Sequence, residues 1–273
     1  SWVPFPRGIN GIASKYGHLS GFSNLSKYNN FDFKSYLLSG VNIKDDVFLT
    51  DPEKPGGYKS HKSNSKKNKI GLDLKYRLTS NSTLDFTFNP DFGQIEMDPS
   101  EINLSAYETY LMEKRPFFME NSVMFDTPIE IFYSRRIGSN GKINGAAKLT
   151  GKNNSGLSFG LIAASTALQD SLQLENKSAN YFTGRLIKDF LNGNTYTGAM
   201  ATYSKFDTSK QIIFSFDIVS NLYDNRINVD GQLITSNTSS DSSYGTGLSL
   251  ELSYVHPTTF KIWMDIERFD KNL

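Results

Sequence analysis

From residue 72 onward the chain alternates apolar and polar side chains with a period of two. Leu72, Leu74, Tyr76 and Leu78 fall on one face, and Asp73, Lys75 and Arg77 on the other. After Ser80-Asn81-Ser82, Leu84, Phe86 and Phe88 oppose Asp85, Thr87 and Asn89. This period marks a strand with one dry and one wet face. It resumes as Ile143, Gly145, Ala147 and Leu149 against Asn144, Ala146, Lys148 and Thr150, and continues through Leu157, Phe159, Leu161 and Ala163. Further on, Phe182 and Leu186 oppose Thr183, Arg185 and Ile187, and Ile212, Phe214, Phe216 and Ile218 oppose Ile213, Ser215, Asp217 and Val219. Leu248, Leu250, Leu252 and Tyr254, then Phe260, Ile262, Met264 and Ile266, close the series. Phe31 to Val41 predicts a first strand. A tilted strand crosses a bilayer in roughly nine to eleven residues, against a mode of about five or six in soluble sheets. Charges placed mid-strand on the polar face suit a wet lumen. The expected fold is all-β: an antiparallel up-and-down transmembrane β-barrel, partial, with about ten to twelve strands depending on whether Ile227 to Thr235 forms one.

The connections refine this expectation. Tight turns are predicted at 152–156, 191–195, 223–226 and 256–259, with turn formers such as Asn153-Asn154 and Asn192-Gly193-Asn194. The connections at 167–179 and 236–244 are longer and polar, while 207–210 is short and breaks the alternation of rims. Short turns at one rim and long loops at the other is the barrel pattern. Tyr181, Phe190, Tyr196, Phe206, Tyr223, Tyr244, Tyr254 and Phe269 stand near strand ends and are candidates for interfacial girdles. Asn42 to Lys69 reads as a long, solvated polar loop.

One stretch resists the pattern. Asn89 to Pro128 is rich in carboxylates and then turns basic and aromatic at Lys114-Arg115-Pro116-Phe117-Phe118. The domain reading is therefore residues 1–30 as an irregular junction, and 31–273 as the barrel fragment, with 89–128 a non-strand insert in or across the lumen. Asp91, Glu96, Glu108, Glu113, Lys114, Arg115, Glu120, Arg135 and Arg136 are the candidates for a charge network holding that insert, with Lys75, Arg77 and Arg185 as wall partners. Guanidinium forks take carboxylates bidentately, which suits such a role. Met112, Met119 and Phe125 would seat Phe117 and Phe118. A short helix is expected from Pro99 to Leu111, capped by Ser100.

The carboxylates also invite chemistry. Asp91, Glu96 and Asp98 offer oxygen ligands for a hard cation, but their spacing fits no EF-hand. Glu108 and Glu113 are a conceivable acid/base pair for glycoside cleavage, which needs a defined separation that sequence spacing does not supply. No catalytic residue, metal site or cofactor is expected.

Composition changes little. The 273 residues carry a net charge of +1 and no cysteine, which excludes disulfides and thiolate metal sites. No apolar run approaches the roughly 18 residues of a spanning helix. The negative mean hydropathy is compatible with a barrel, in which half of each strand faces a polar lumen. Lysines between 59 and 69 have no interleaved aromatics, so nucleic acid is not an expected partner. No signal peptide is visible, and Arg268 to Leu273 lacks a strand-final aromatic, so a fragment truncated at both ends is expected.

Longer motifs carry a resemblance: Asn89 to Glu96, Asn103-Leu104, Glu113 to Phe118, Tyr133 to Gly138, and Ala147 to Gly151. The chain resembles Gram-negative outer-membrane proteins whose C-terminal region is domain of unknown function 5916, commonly named carbohydrate-binding family 9 domain-containing proteins. It departs at Tyr110-Leu111-Met112, where members often carry Phe-Phe, while keeping the apolar character. The resemblance implies a barrel preceded by a carbohydrate-binding-like sandwich that is absent from this sequence. The expected function is a non-enzymatic transport, pore or surface-display component of the cell outer membrane, linked to glycan use, with a plug-like segment. Expected partners are outer-membrane lipids and a glycan or small-molecule ligand; a partner lipoprotein is left unidentified. The alternatives are a soluble β-sandwich that binds carbohydrate and a barrel-borne hydrolase using Glu108 and Glu113.

Overall fold

The computed structural model describes residues 16–17, 20–21, 29–49, 58–90, 109–139, 141–168, 178–207, 209–240, 243–256, 258–271 and 273. Eleven strands form one antiparallel sheet in strict chain order. They are β1 (Phe31–Leu49), β2 (Tyr58–Thr79), β3 (Ser82–Phe88), β4 (Gly141–Lys152), β5 (Leu157–Leu168) and β6 (Ser178–Phe190), followed by β7 (Thr195–Phe206), β8 (Ser209–Leu222), β9 (Ile227–Thr238), β10 (Ser243–Val255) and β11 (Lys261–Phe269). The sheet is open, with β1 and β11 as its edges. The doubtful segment after residue 227 is a full strand, β9, paired on both sides.

The two faces are the reverse of those in a soluble sheet. On one face Asp85, Thr87, Lys148, Thr150, Arg185, Asp217 and Gln232 are buried. On the other, apolar side chains stand exposed: Phe214 at 57%, Leu233 at 55%, with Phe86, Leu161, Phe182 and Leu186 alongside. The polar face is termed inner, because the segment between β3 and β4 packs against it.

Local chemistry sets the rims. The β4–β5 hairpin closes through Asn153, whose Oδ1 accepts hydrogen bonds from Ser155 N (3.0 Å), Ser155 Oγ (2.7 Å) and Leu157 N (2.9 Å). An Asn side chain holding its own turn in this way needs no long loop. Similar short links join β2–β3, β6–β7, β8–β9 and β10–β11, defining a turn rim; the link from β3 to β4 leaves from the opposite, loop rim.

Three expectations require correction. The polar loop expected over Asn42 to Lys69 is largely strand: β1 and β2 pair continuously from Phe31↔Tyr76 to Leu49↔Tyr58. Ile143 is buried on the inner face with Ala146, because the register of β4 against β5 shifts between Ile143 and Gly145; one extra residue in a ladder swaps faces. Tyr181, Tyr196 and Phe206 share the inner face with Thr183, Gly198 and Met200 and do not belong to an outer girdle.

On the inner wall, Arg185 Nη2 donates to Asp217 Oδ2 at 2.8 Å, both side chains being fully buried. Gly198, directly opposite Asp217, makes room for it, since a Cβ there would lie 2.6 Å from Oδ2. Arg185 Nε and Asp217 Oδ1 have no hydrogen-bond partner among the described residues. Asp217→Ala strands a buried cation and should cost about 3–5 kcal/mol in denaturant unfolding. The double variant Arg185→Met/Asp217→Ala should cost less; an equal or larger loss would count against this reading.

Candidate functional site: a segment seated on the inner face

Residues 109–139 cross the inner face without forming strand. Pro116 opens a single helical turn, α1 (Pro116–Met119); its fixed φ and missing N–H suit a first helical position. Asn121, at φ 55°, links α1 to a 3₁₀ turn over Ser122–Phe125; asparagine enters this left-handed region readily. A second 3₁₀ turn covers Ser134–Arg136. The non-strand insert thus runs beyond the expected Pro128 as far as residue 139.

Apolar contacts seat the segment. Phe118, Phe125 and Ile137 are buried in one cluster with Ile143, Ala146, Ile162, Ala164 and Met200 of the wall. Gly160 leaves the space: a Cβ there would lie 2.7 Å from Met124 Cγ and 2.8 Å from Phe125 Cζ. Phe117 meets Phe118 edge-on at 4.9 Å between ring centroids.

Polar contacts fasten it. Glu113 and Arg115 form the internal strut, joined at Nε–Oε1 (2.8 Å) and Nη2–Oε2 (2.6 Å). Glu113 Oε1 also accepts the backbone N–H groups of Lys114 and Arg115, and Oε2 accepts Ser134 Oγ at 2.6 Å. Arg115 also donates to the carbonyls of Ile137 (2.6 Å) and Ser134 (2.7 Å), and its guanidinium lies 4.3 Å over the Phe118 ring. Burial works against ionised Glu113, but the hydrogen bonds from Arg115 and Ser134 outweigh it and hold the carboxyl below the ordinary glutamate value.

The wall supplies further ties. The buried Lys148 ammonium donates to the carbonyls of Phe117 and of Glu120, the latter at 2.7 Å, and lies 3.9 Å from Asp85 Oδ2. Lys75 pairs with Glu120 and stands 3.6 Å from Asp85 Oδ1. Asn121 Nδ2 donates to Thr150 Oγ1 at 3.1 Å. Across the sheet, Gln232 on β9 accepts Ile129 N–H at 2.5 Å and donates to Ile129 O at 3.2 Å. Tyr133 OH both accepts from Leu111 N and donates to Leu111 O, and Tyr181 OH donates to Arg136 O at 3.3 Å.

Among the sequence candidates, Glu113 and Arg115 meet each other, and Glu120 meets Lys75. Lys114 contributes its backbone N–H to Glu113, and Arg135 and Arg136 lie in the second 3₁₀ turn. Asp91, Glu96 and Glu108 lie outside the described residues, as do Asp98 and Pro99 to Glu108 of the expected helix. One expected wall partner points elsewhere: Arg185 pairs with Asp217. Arg77 donates to Asn29 O at 2.9 Å. Met112 and Met119 are exposed and do not join the apolar seat, whereas Phe125 does. Lys148, Asp85 and Gln232 escaped sequence reading as site residues; a charged or amide residue mid-strand was their only signal.

Cavities border the segment among the described residues. A space of about 620 Å³ opens toward the turn rim, bordered by Asn121, Met124, Asp126, Thr150 and Tyr196. A second, of about 280 Å³, lies toward the loop rim between Phe132, Tyr133, Tyr181, Tyr203 and Phe206. Burial raises the Asp126 carboxyl above its usual range, partly offset by the Arg185 cation.

Because the folded Glu113 pKa is depressed, its contribution to holding the segment is present above the ordinary glutamate value of about 4.5 and is lost as pH falls through the lower folded value. Hydrogen-exchange protection of residues 109–139, relative to the intrinsic rate at each pH, should therefore stay high at neutral pH and fall only under more acidic conditions. Glu113→Gln should raise exchange at neutral pH by about tenfold or more, the effect of losing a charge-assisted hydrogen bond. Unchanged protection in that variant would remove the strut from the account.

The sequence matches the family model described as "Domain of unknown function (DUF5916)" over residues 55–197, more than half of the chain. That span contains β2 to β6 and the whole seated segment. No curated protein matches the chain. With its all-β sheet and the segment between β3 and β4 both inside or overlapping the matched span, the chain belongs to the DUF5916 family.

Proposed function

We propose that the sheet is part of the wall of an outer-membrane β-barrel, and that residues 109–139 form an internal constriction. The carrying observation is the reversal of faces: apolar side chains exposed outside, charged and hydroxyl side chains buried inside. In water, an outer face of Phe86, Phe182, Phe214, Phe216 and Leu233 would be an unusually large exposed apolar patch. In lipid it is the solvated face. Strands β4 to β10 run from 12 to 14 residues, enough to cross a bilayer when tilted.

On this reading the protein moves, admits or displays small solutes in the cell outer membrane, and lipid is its principal partner. The chemistry of the segment supports a structural role. Glu113 is saturated with donors and held ionised, which suits a strut and is the opposite of the raised carboxyl a general acid requires. A soluble sandwich needs a second sheet packed on the first, and the described strands make one sheet.

Protein extracted from membranes should remain in solution only with detergent or lipid and should migrate faster on electrophoresis before heating than after. Leu161→Arg, on the outer face, should destabilise the bilayer-inserted protein by about 2–4 kcal/mol, whereas in a soluble sheet the same exposed position should tolerate it. In planar bilayers, Glu113→Gln/Arg115→Met should raise conductance. A protein that stays monodisperse without detergent and shows no heat-dependent mobility would overturn the proposal.

A further inference from the structure

The turn-rim cavity carries a charge that the constriction does not use. Asp126 lines it, and its carboxylate has neither a hydrogen bond nor an ion pair among the described residues. Lys152 is committed to Asp189, and Arg185, which acts on Asp126 from outside the lining, is committed to Asp217. The cavity therefore has a net negative charge and a lining that is otherwise mainly apolar, with Met124, Ile187 and the Tyr196 ring in it. Beyond Tyr196 the negative charge continues along the wall. In the sheet register Tyr196 lies opposite Val219, Val219 opposite Asp230, Asp230 opposite Glu251 and Glu251 opposite Asp265. Three carboxylates thus occupy successive inner-face positions on β9, β10 and β11, where neighbouring strands lie roughly 4.8 Å apart. None of the three has an ion pair among the described residues. Like charges directly opposite one another destabilise a sheet, and Asp230 and Glu251 repel each other. Asp126 and Asp230 both act electrostatically on Tyr196, which joins the cavity to the line.

The arrangement selects a kind of cation. Among the described residues, no three carboxylate or imidazole groups converge as a metal ion requires. Separated carboxylates beside an apolar cavity suit an extended cation instead, with its charges spaced along a methylene chain. Apolar stems lie readily on apolar surface while their charged ends reach polar partners, and a tyrosine face attracts an ammonium. The cavity volume, about 620 Å³, is within the usual range for small-molecule sites, about 300–1,000 Å³. We infer that the cavity and the carboxylate line together bind a linear polyamine. One ammonium sits at Asp126 and Tyr196, others lie along the line, and the methylenes rest on the apolar lining. Asp126 belongs to the seated segment and Tyr196 to the wall, so a bound polyamine favours the seated arrangement. The inference rests on the barrel reading for the route by which solute arrives, but not for binding, so the two fail separately.

The test is saturation-transfer NMR on the full-length chain, in detergent where solubility requires it. Spermidine is the probe, maltose and glutamate are the uncharged and anionic controls, and magnesium is the competitor. Spermidine transfer should saturate, and should persist at about 0.15 M salt, where loose attraction between exposed charges is largely screened. Magnesium should not displace it, and the controls should show none. Asp126→Asn and Tyr196→Ala should each weaken spermidine by about fivefold, and Tyr196→Phe, which keeps the ring, should retain most of the affinity. Asp126 is exposed and unbonded, so Asp126→Asn should fold as wild type does, which circular dichroism checks. No saturable spermidine transfer to wild type, loss of transfer on adding magnesium, unchanged affinity in folded Asp126→Asn, or equal transfer from maltose would overturn the inference. Heat-dependent mobility separately reports the barrel.

Discussion

A buried ammonium cannot stand alone, and Lys148 shows how this molecule meets that demand. Its side chain is fully buried on a sheet face, where it donates to two carbonyls from a separate piece of chain and stands 3.9 Å from the Asp85 carboxylate. Desolvating an unpaired amine would cost several kcal/mol, so the wall around β3 and β4 needs the segment as much as the segment needs the wall. Carbonyls left over at the end of α1, which lack helical partners, are what the lysine uses. The apolar seat formed by Phe118, Phe125, Ile162 and Met200 then lies beside a polar anchor that fixes its register.

This mutual dependence explains why the segment has little regular structure of its own. One helical turn and two 3₁₀ turns are far too short to be stable alone. Their backbone groups are satisfied by side chains: Arg115 takes the carbonyls of Ser134 and Ile137, Tyr133 closes on Leu111, and Gln232 pairs with both polar groups of Ile129. Other polar ties reach Lys75 on β2, Lys148 and Thr150 on β4 and Tyr181 on β6, while Gln232 extends the hold to β9. Fastening is therefore distributed, and the loss of one tie loosens a part of the segment before it releases the whole.

The wall was legible because a two-residue period survives any detail of packing. Leu72 through Phe88 and Ile212 through Val219 assign their faces from spacing alone. Two features hid. The register shift after Ile143 moves that residue to the other face, and a single extra residue leaves no compositional mark. The β1–β2 ladder extends through Lys59 to Lys69, a run poor in strand formers; its pairing comes from a partner strand, which local propensity does not encode. In the segment, Glu113 and Arg115 were readable because they stand two residues apart. Arg185 was assigned to the wrong partner because Asp217 lies 32 positions away, and only strand order brings them together. Asp91, Glu96 and Glu108 lie outside the described residues, so the cation and glycosidase readings built on them have no geometry to stand on.

The strict meander has a topological consequence. In an antiparallel sheet each strand reverses the last, so β1 and β11, ten steps apart in the order, run in the same direction. A cylinder closed by these two strands directly would have one parallel seam in an otherwise antiparallel wall. An antiparallel seam requires an odd number of strands between them, making the total even. Direction alone thus sets the parity of any all-antiparallel closed form, before a single residue at either edge is considered.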